Sequence, residues 1–167
     1  MARRFRGEFT QKVDGKGRVS IPSQFRTVLQ QGDPACVDGK TPEFVLVYGD
    51  ETFDWFECYS MEGIEEIDER IDAKPFESEE REYLEDMYHG HALTLTIDET
   101  GRIVLPLKQR QKIGLEDEAY FIASSNHFQI WKRDTYDRIA GARRKAWRER
   151  QSENFKARAL LDKPAGA

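Results

Sequence analysis

Short apolar runs alternate with polar residues along most of this chain, and Gly, Pro or Asp closes nearly every run. That pattern predicts strands at Glu8 to Val13, Arg18 to Ile21, Phe44 to Tyr48 and Trp55 to Tyr59. It predicts four more at Ala92 to Ile97, Arg102 to Leu105, Ala119 to Ala123 and Phe128 to Trp131. Pro22 and Pro106 end strands and open short helices, Ser23 to Gln30 and Leu107 to Ile113, because proline cannot donate to a ladder but suits a first helical turn. Gly114 is placed to cap the second of these. Between Met61 and Tyr88 the period changes. Ile64, Ile67 and Ile71, then Tyr83, Leu84, Met87 and Tyr88, recur at helical spacing, with Pro75 dividing two helices. The stretch from Asp134 to Leu161 reads as one or two basic helices followed by a loose tail over 162–167.

The elements repeat. Asp14-Gly15-Lys16-Gly17-Arg18-Val19-Ser20-Ile21-Pro22 with Arg26 matches Asp98-Glu99-Thr100-Gly101-Arg102-Ile103-Val104-Leu105-Pro106 with Arg110 at one offset, 98 − 14 = 84. Further on, Phe56-Glu57-Cys58-Tyr59 matches Phe128-Gln129-Ile130-Trp131, and Ile67 matches Ile139, at a shorter offset, 128 − 56 = 72. The first copy therefore holds about twelve extra residues, expected in the Gly/Pro/Asp-rich stretch from Gly32 to Pro42. A strand–turn–strand unit of this size cannot bury its own apolar face. The two copies are expected to pair about a pseudo-two-fold axis in one shared small barrel. The expected division is a first repeat at 5–60, an acidic helical connector at 61–90, a second repeat at 91–140 and a basic helical extension at 141–167.

Charge sharpens this picture. The net charge of −5 is an average: residues 1–26 sum to +5, 27–98 to −16 and 99–167 to +6. A local positive face, rather than the total, decides whether a chain can meet a polyanion. No run of eighteen apolar residues occurs, so no membrane span is expected. The two cysteines, Cys36 and Cys58, form no C-x-x-C pair and read as reduced thiols of a cytosolic protein. Cys58 aligns with Ile130, which favours a core position over a reactive one.

Candidate chemistry gathers at the repeated turn. Arg18 can bond bidentately to guanine O6 and N7, and Lys16 can meet phosphate. Arg4, Arg6 and Lys12 are close in sequence. Gly17 and Gly101 allow the tight turn, while Asp14 and Asp98 are placed to buttress it through Arg18 and Arg102. Lacking the lysine and carrying Glu99 and Thr100, the second turn is expected to be the weaker contact. The bland alternative is a solvated surface turn, although such a turn gives no reason to keep Asp and Arg in both copies. Asp14 and Asp98 also sit where a two-fold barrel could bring two carboxylates together as in an aspartic protease. The neighbouring Lys16 and Arg18 disfavour the shared proton that such a pair needs. His89 and His91 flank Gly90 with no cysteine ligand nearby, a pattern of a helix end rather than a metal site. A further alternative is an interaction protein whose acidic helices and basic tail dock a partner enzyme.

Phe5-Arg6-Gly7, Asp14-Gly15-Lys16-Gly17-Arg18, Pro22, Phe25-Arg26, Gly90-His91-Ala92, Asp98, Gly101-Arg102 and Pro106 together resemble the MraZ family of bacterial transcriptional regulators. The resemblance runs to about residue 140. It implies a mainly β fold with helices (α+β), made of two pseudo-symmetric swapped-hairpin repeats of the AbrB/SpoVT type. It implies ring-shaped homo-oligomers, octamers or dodecamers, that bind double-stranded DNA at short G-rich direct repeats upstream of their own operon. That operon heads the division and cell-wall gene cluster. Repression, a cytoplasmic nucleoid-associated location, no cofactor and no catalysis are implied as well. The family's DNA-reading arginine falls on Arg18, with Lys16 beside it. The chain departs in its strongly basic helix with Arg143, Arg144, Lys145, Arg148 and Arg150, and in the early Arg3 and Arg4.

Overall fold

The computed structural model describes residues 3–166; the last residue of the expected tail lies outside them. The chain divides into two compact units, one ending at Arg133 and the other beginning at Asp134. The first unit contains β1 (Glu8–Lys12), β2 (Arg18–Ser20), α1 (Ser23–Gln31), β3 (Glu43–Val47) and β4 (Trp55–Ser60). These are followed by α2 (Met61–Asp72) and α3 (Glu79–Glu85), which runs into a π-helical turn, Asp86–Gly90. The second copy supplies β5 (Ala92–Thr96), β6 (Arg102–Val104), α4 (Leu107–Lys112), β7 (Glu118–Ser124) and β8 (His127–Trp131).

The eight strands form a six-stranded sheet, ordered β1-β7-β8-β4-β3-β5, and a two-stranded ribbon, β2-β6. Every strand pair is antiparallel. The pairing is crossed between copies. β1 of the first copy lies against β7 of the second, with Phe9 opposite Phe121, and β5 of the second lies against β3 of the first, with Leu95 opposite Phe44. In the ribbon Val19 faces Ile103, the pair related by the 84-residue offset. In the sheet Glu57 faces Gln129, the pair related by the 72-residue offset. One pseudo-two-fold axis therefore passes through both pairs. The repeat predicts two copies paired about such an axis, and the crossed pairing is the α+β swapped-hairpin arrangement that the family resemblance implies.

The register also places the extra residues of the first copy. Thr10 faces Tyr120 and its repeat mate Thr94 faces Val45, so the third strands align at 120 − 45 = 75. Nine of the twelve lie between α1 and β3, as expected. The other three lie in the β3–β4 connection, 48–54, a position the sequence expectation missed. Asp33 pins the longer insertion: its carboxylate accepts from the backbone N–H groups of Ala35 (3.0 Å) and Glu43 (2.9 Å).

Alternation along the strands sorts side chains between two faces. Phe44, Leu46, Phe56, Cys58, Phe121, Phe128 and Ile130 face one way, against Val19, Ile21, Ile103 and Leu105 of the ribbon and strand ends and Phe25 and Leu29 of α1. Phe25 stacks on Phe128 at 4.8 Å between ring centres, and Phe5 meets both rings edge-on. Each such fully buried side chain stabilises the fold by about 1.5–3 kcal/mol relative to exposure. On the other face Val45, Val47 and Tyr59 bury against Ile64 of α2 and Met87 of the π-helical turn. The ribbon and the acidic helices therefore lie on opposite faces of the sheet.

The second unit continues α5 (Arg133–Tyr136) through a π-helical turn (Asp137–Gly141) into α6 (Ala142–Glu149), and ends in a 3-10 turn, Ala157–Asp162. Within it Trp147 meets Phe155 edge-on at 5.6 Å, and the Arg148 guanidinium lies over the Phe155 ring. No helix among the described residues is long and apolar enough to cross a membrane.

Candidate nucleic-acid interface

Each repeated turn is built around one aspartate. Asp14 Oδ1 accepts from the backbone N–H of Lys16 (3.0 Å) and of Arg18 (2.9 Å), and Oδ2 accepts from Arg18 Nε at 2.5 Å. Gly17 N–H closes the turn on the Asp14 carbonyl at 2.9 Å. The backbone N–H of Arg18, its side chain and the N–H of Lys16 together hold the Asp14 carboxyl well below its ordinary range, at about 2. The second turn copies this frame with a different side-chain detail. Asp98 Oδ1 accepts from Thr100 N–H (2.8 Å) and Arg102 N–H (2.9 Å). Arg102 Nε donates to Thr100 Oγ1 at 2.9 Å and stands 3.6 Å from Asp98 Oδ2. The Arg102 N–H and the Thr100 hydroxyl lower the Asp98 carboxyl as well. Each aspartate is thus held ionised within its own turn, the opposite of a proton-sharing pair.

The two turns lock onto each other. Ile21 N–H donates to Gly101 O (2.9 Å), and Leu105 N–H donates to Gly17 O (2.8 Å). Gly17 has φ +83°, and a Cβ there would overlap Leu105 O and stand 2.8 Å from Arg110 Nε. Arg110 Nε is itself held by Leu105 O at 2.8 Å. Arg26 plays the matching part behind Gly101, although its buried Nε has no hydrogen-bond partner among the described residues. The later arginine of each repeat therefore braces the other copy's turn from behind.

In the ribbon Val19 and Ile103 point inward, and the opposite face is made of Arg18, Ser20, Arg102 and Val104. Arg18 faces Val104 and Ser20 faces Arg102, so the arginines are diagonal neighbours. Both are held at Nε, and their terminal Nη groups carry no partner among the described residues. A shallow depression joins these arginines to Lys12, Asp14 and Ser20, with Asp117 and Glu118 on its wall. Lys16 is exposed at the tip of the first turn. Arg4 and Arg6 lie elsewhere. β1 runs away from the turn along β7, and Arg4 Nη1 donates to Ser125 Oγ (3.1 Å) at the β7–β8 hairpin, on the order of 20 Å from Lys12. Ser20 and Val104 were not singled out in the sequence; the strand period around the inward Val19 and Ile103 is the signal that places them outward.

Other residues take structural places. His89 bonds Asp68 at 2.9 Å in the π-helical turn, and no group of three or more His, Cys, Asp or Glu is placed to hold a metal among the described residues. Cys58 is fully buried, and burial pushes its thiol well above the ordinary range.

The family model described as MraZ protein, antitoxin-like, matches residues 4–74 and 88–161. This chain belongs to the MraZ family. A Ruegeria pomeroyi protein named transcriptional regulator MraZ is 52% identical over 167 residues, the whole of both chains. A Cereibacter sphaeroides protein of that name is 48% identical over 143 residues, 81% of this chain and 84% of its own. One from Parvibaculum lavamentivorans is 35% identical over 143 residues, 81% of this chain and 80% of its own. The MraZ match spans both turns and both strands of the ribbon.

Proposed function

We propose that this protein is a transcriptional regulator that binds DNA sequence-specifically through the β2–β6 ribbon and its first turn. The observation that carries the reading is a pair of half-exposed, Nε-anchored arginines, Arg18 and Arg102, on one outward ribbon face. A two-stranded β element fits the major groove, where a preoriented guanidinium can meet guanine O6 and N7. Lys16 and Lys12 supply phosphate contacts, and Arg4 and Arg6, at the far end of β1, track the backbone away from the read bases. Asp14, Gly17, Asp98 and Gly101 hold the turns.

The targets are short G-rich direct repeats upstream of the protein's own operon in the division and cell-wall cluster, with repression as the outcome. The protein acts in the cytoplasm at the nucleoid, as a ring-shaped homo-oligomer. One chain neutralising two or three phosphates binds in the nonspecific range of about 10⁻⁴–10⁻⁶ M, and linking copies can raise avidity by about 10²–10⁴. The functional segments follow the repeat: reader halves at 5–60 and 91–140, an acidic connector at 61–90 and a basic extension at 141–167. No catalytic step or cofactor belongs to this reading. A second reading, a scaffold that docks a partner enzyme, draws on Phe76, which is 82% exposed within the acidic connector.

Gel shifts with operator DNA at moderate salt separate the two. Arg18→Ala abolishes the specific shift while far-UV circular dichroism is unchanged, and Arg102→Ala costs much less. An Arg18→Ala protein that shifts the operator at wild-type concentrations overturns the reading.

A further inference from the structure

Val104 is 54% exposed, and among the described residues it is the one strongly exposed large apolar side chain that sits in a strand. Its place is the outward ribbon face, directly opposite Arg18. The pseudo-two-fold axis carries Val104 onto Ser20, the residue opposite Arg102. The ribbon is therefore symmetric in its arginines and asymmetric in their neighbours: Arg18 is paired with an isopropyl group, Arg102 with a hydroxyl. The protein core does not require a valine there, because the inward side of the ribbon is already filled by Val19 and Ile103, both nearly inaccessible to solvent.

We infer that Val104 is a specificity-determining residue whose methyl groups contact the C5-methyl of a thymine next to the base that Arg18 reads. The inference rests on the proposed DNA-binding role of the ribbon. In the major groove the thymine methyl is the apolar feature on a base edge, and an aliphatic side chain is its natural partner. Directly opposed residues of an antiparallel pair have Cβ atoms about 4.5–5.5 Å apart, which reaches from one base pair to the next. Arg18 and Val104 together then read a guanine and an adjoining thymine as one step. Arg102 and Ser20 offer no apolar counterpart on the other side. The dyad-related halves of the reader thus favour different bases, which gives one chain a direction on the duplex and suits directly repeated sites.

The test uses the full-length protein and the duplex it selects from a random-sequence pool. Each thymine is replaced in turn by uracil, which removes only the C5-methyl. One such replacement, within one or two base pairs of the guanine whose loss Arg18→Ala masks, is expected to weaken wild-type binding about fourfold, the worth of one buried methyl. Val104→Ser is expected to weaken binding to the thymine duplex by a similar factor and to bind the uracil duplex no worse. Val104→Thr, which keeps a methyl, is expected to restore most of the preference. If no uracil replacement distinguishes wild type from Val104→Ser, the inference is wrong. Because Arg18→Ala is measured on the same duplexes, failure of the thymine contact alone is distinguishable from failure of the ribbon as the DNA reader.

Discussion

Replacing Gly17 by alanine should be among the most disruptive single-methyl changes in this protein. Two terms contribute. A side chain at φ +83° costs about 1–2 kcal/mol, because an L-residue crowds its own carbonyl in the left-handed region. The new methyl would also run into Leu105 O and into Arg110 Nε at 2.8 Å. Neither can retreat cheaply: Leu105 N–H is bonded to Gly17 O at 2.8 Å, and Arg110 Nε is bonded to Leu105 O. Overpacking of this kind costs about 1–3 kcal/mol. The sum is about 2–5 kcal/mol, or roughly 4–20 °C in Tm for a chain of this size. Gly15 is the control. It lies two residues away with no atom within 4 Å of a Cβ, so Gly15→Ala should stay within about 0.5 kcal/mol of wild type. Gly101→Ala falls between, since its methyl meets the far end of the Arg26 side chain, which can shift. Urea unfolding at one fixed protein concentration gives the three values. If Gly17→Ala proves as stable as Gly15→Ala, the interlocked-turn geometry is refuted.

Further outcomes are expected. Asp14 has a folded pKa of about 2 against about 3.9 unfolded, so its contribution is complete above pH ~4 and disappears as pH falls toward 2. Thermal melts of wild type and Asp14→Asn should accordingly converge across that window, and a gap that persists at pH 2 contradicts the assignment. Phe128→Ala removes the ring that Phe5, Phe25 and Phe121 pack against and should cost about 3–5 kcal/mol in chemical denaturation. Neutralising Glu65, Glu66 and Asp68 together should leave operator affinity within about threefold. These residues sit on the sheet face opposite the ribbon, and charges beyond a Debye length of roughly 8 Å are screened. A larger change in a filter-binding titration would place those helices near DNA or in an assembly contact. A thiol reagent should modify Cys36 readily in the native protein, whereas Cys58 should react only after unfolding, so equal rates would contradict its burial.

Most of the fold was legible because the chain states it twice. The 84- and 72-residue offsets name the two strand pairs, Val19–Ile103 and Glu57–Gln129, through which the pseudo-two-fold axis runs. Proline and glycine marked α1 and α4 because their effects are local. The three extra residues of the β3–β4 connection escaped notice because only the register of Thr94 with Val45 reveals them. The π-helical turns carry no distinguishing residue pattern. At the candidate site, the aspartate-centred turns follow from residue type. Grouping Arg4 and Arg6 with them did not follow, since an extended strand carries sequence neighbours apart at about 3.3 Å per residue. Val104 was hidden by its chemistry: an aliphatic residue in a short strand reads as core unless its facing is known.

The crossed strand exchange sets conditions on how the protein is made. β1 leaves the ribosome first, yet its partner β7 follows about 110 residues later. At about 5–20 residues per second the first strand waits on the order of ten seconds without a ladder. During that wait the unpaired first strand can be met by the β7 of a neighbouring chain whose own β1 has not yet paired. Chains translated side by side on one message are thus at risk of exchanging halves. Cutting the gene between the copies should yield two fragments that are each unable to fold alone but that complement one another when co-expressed.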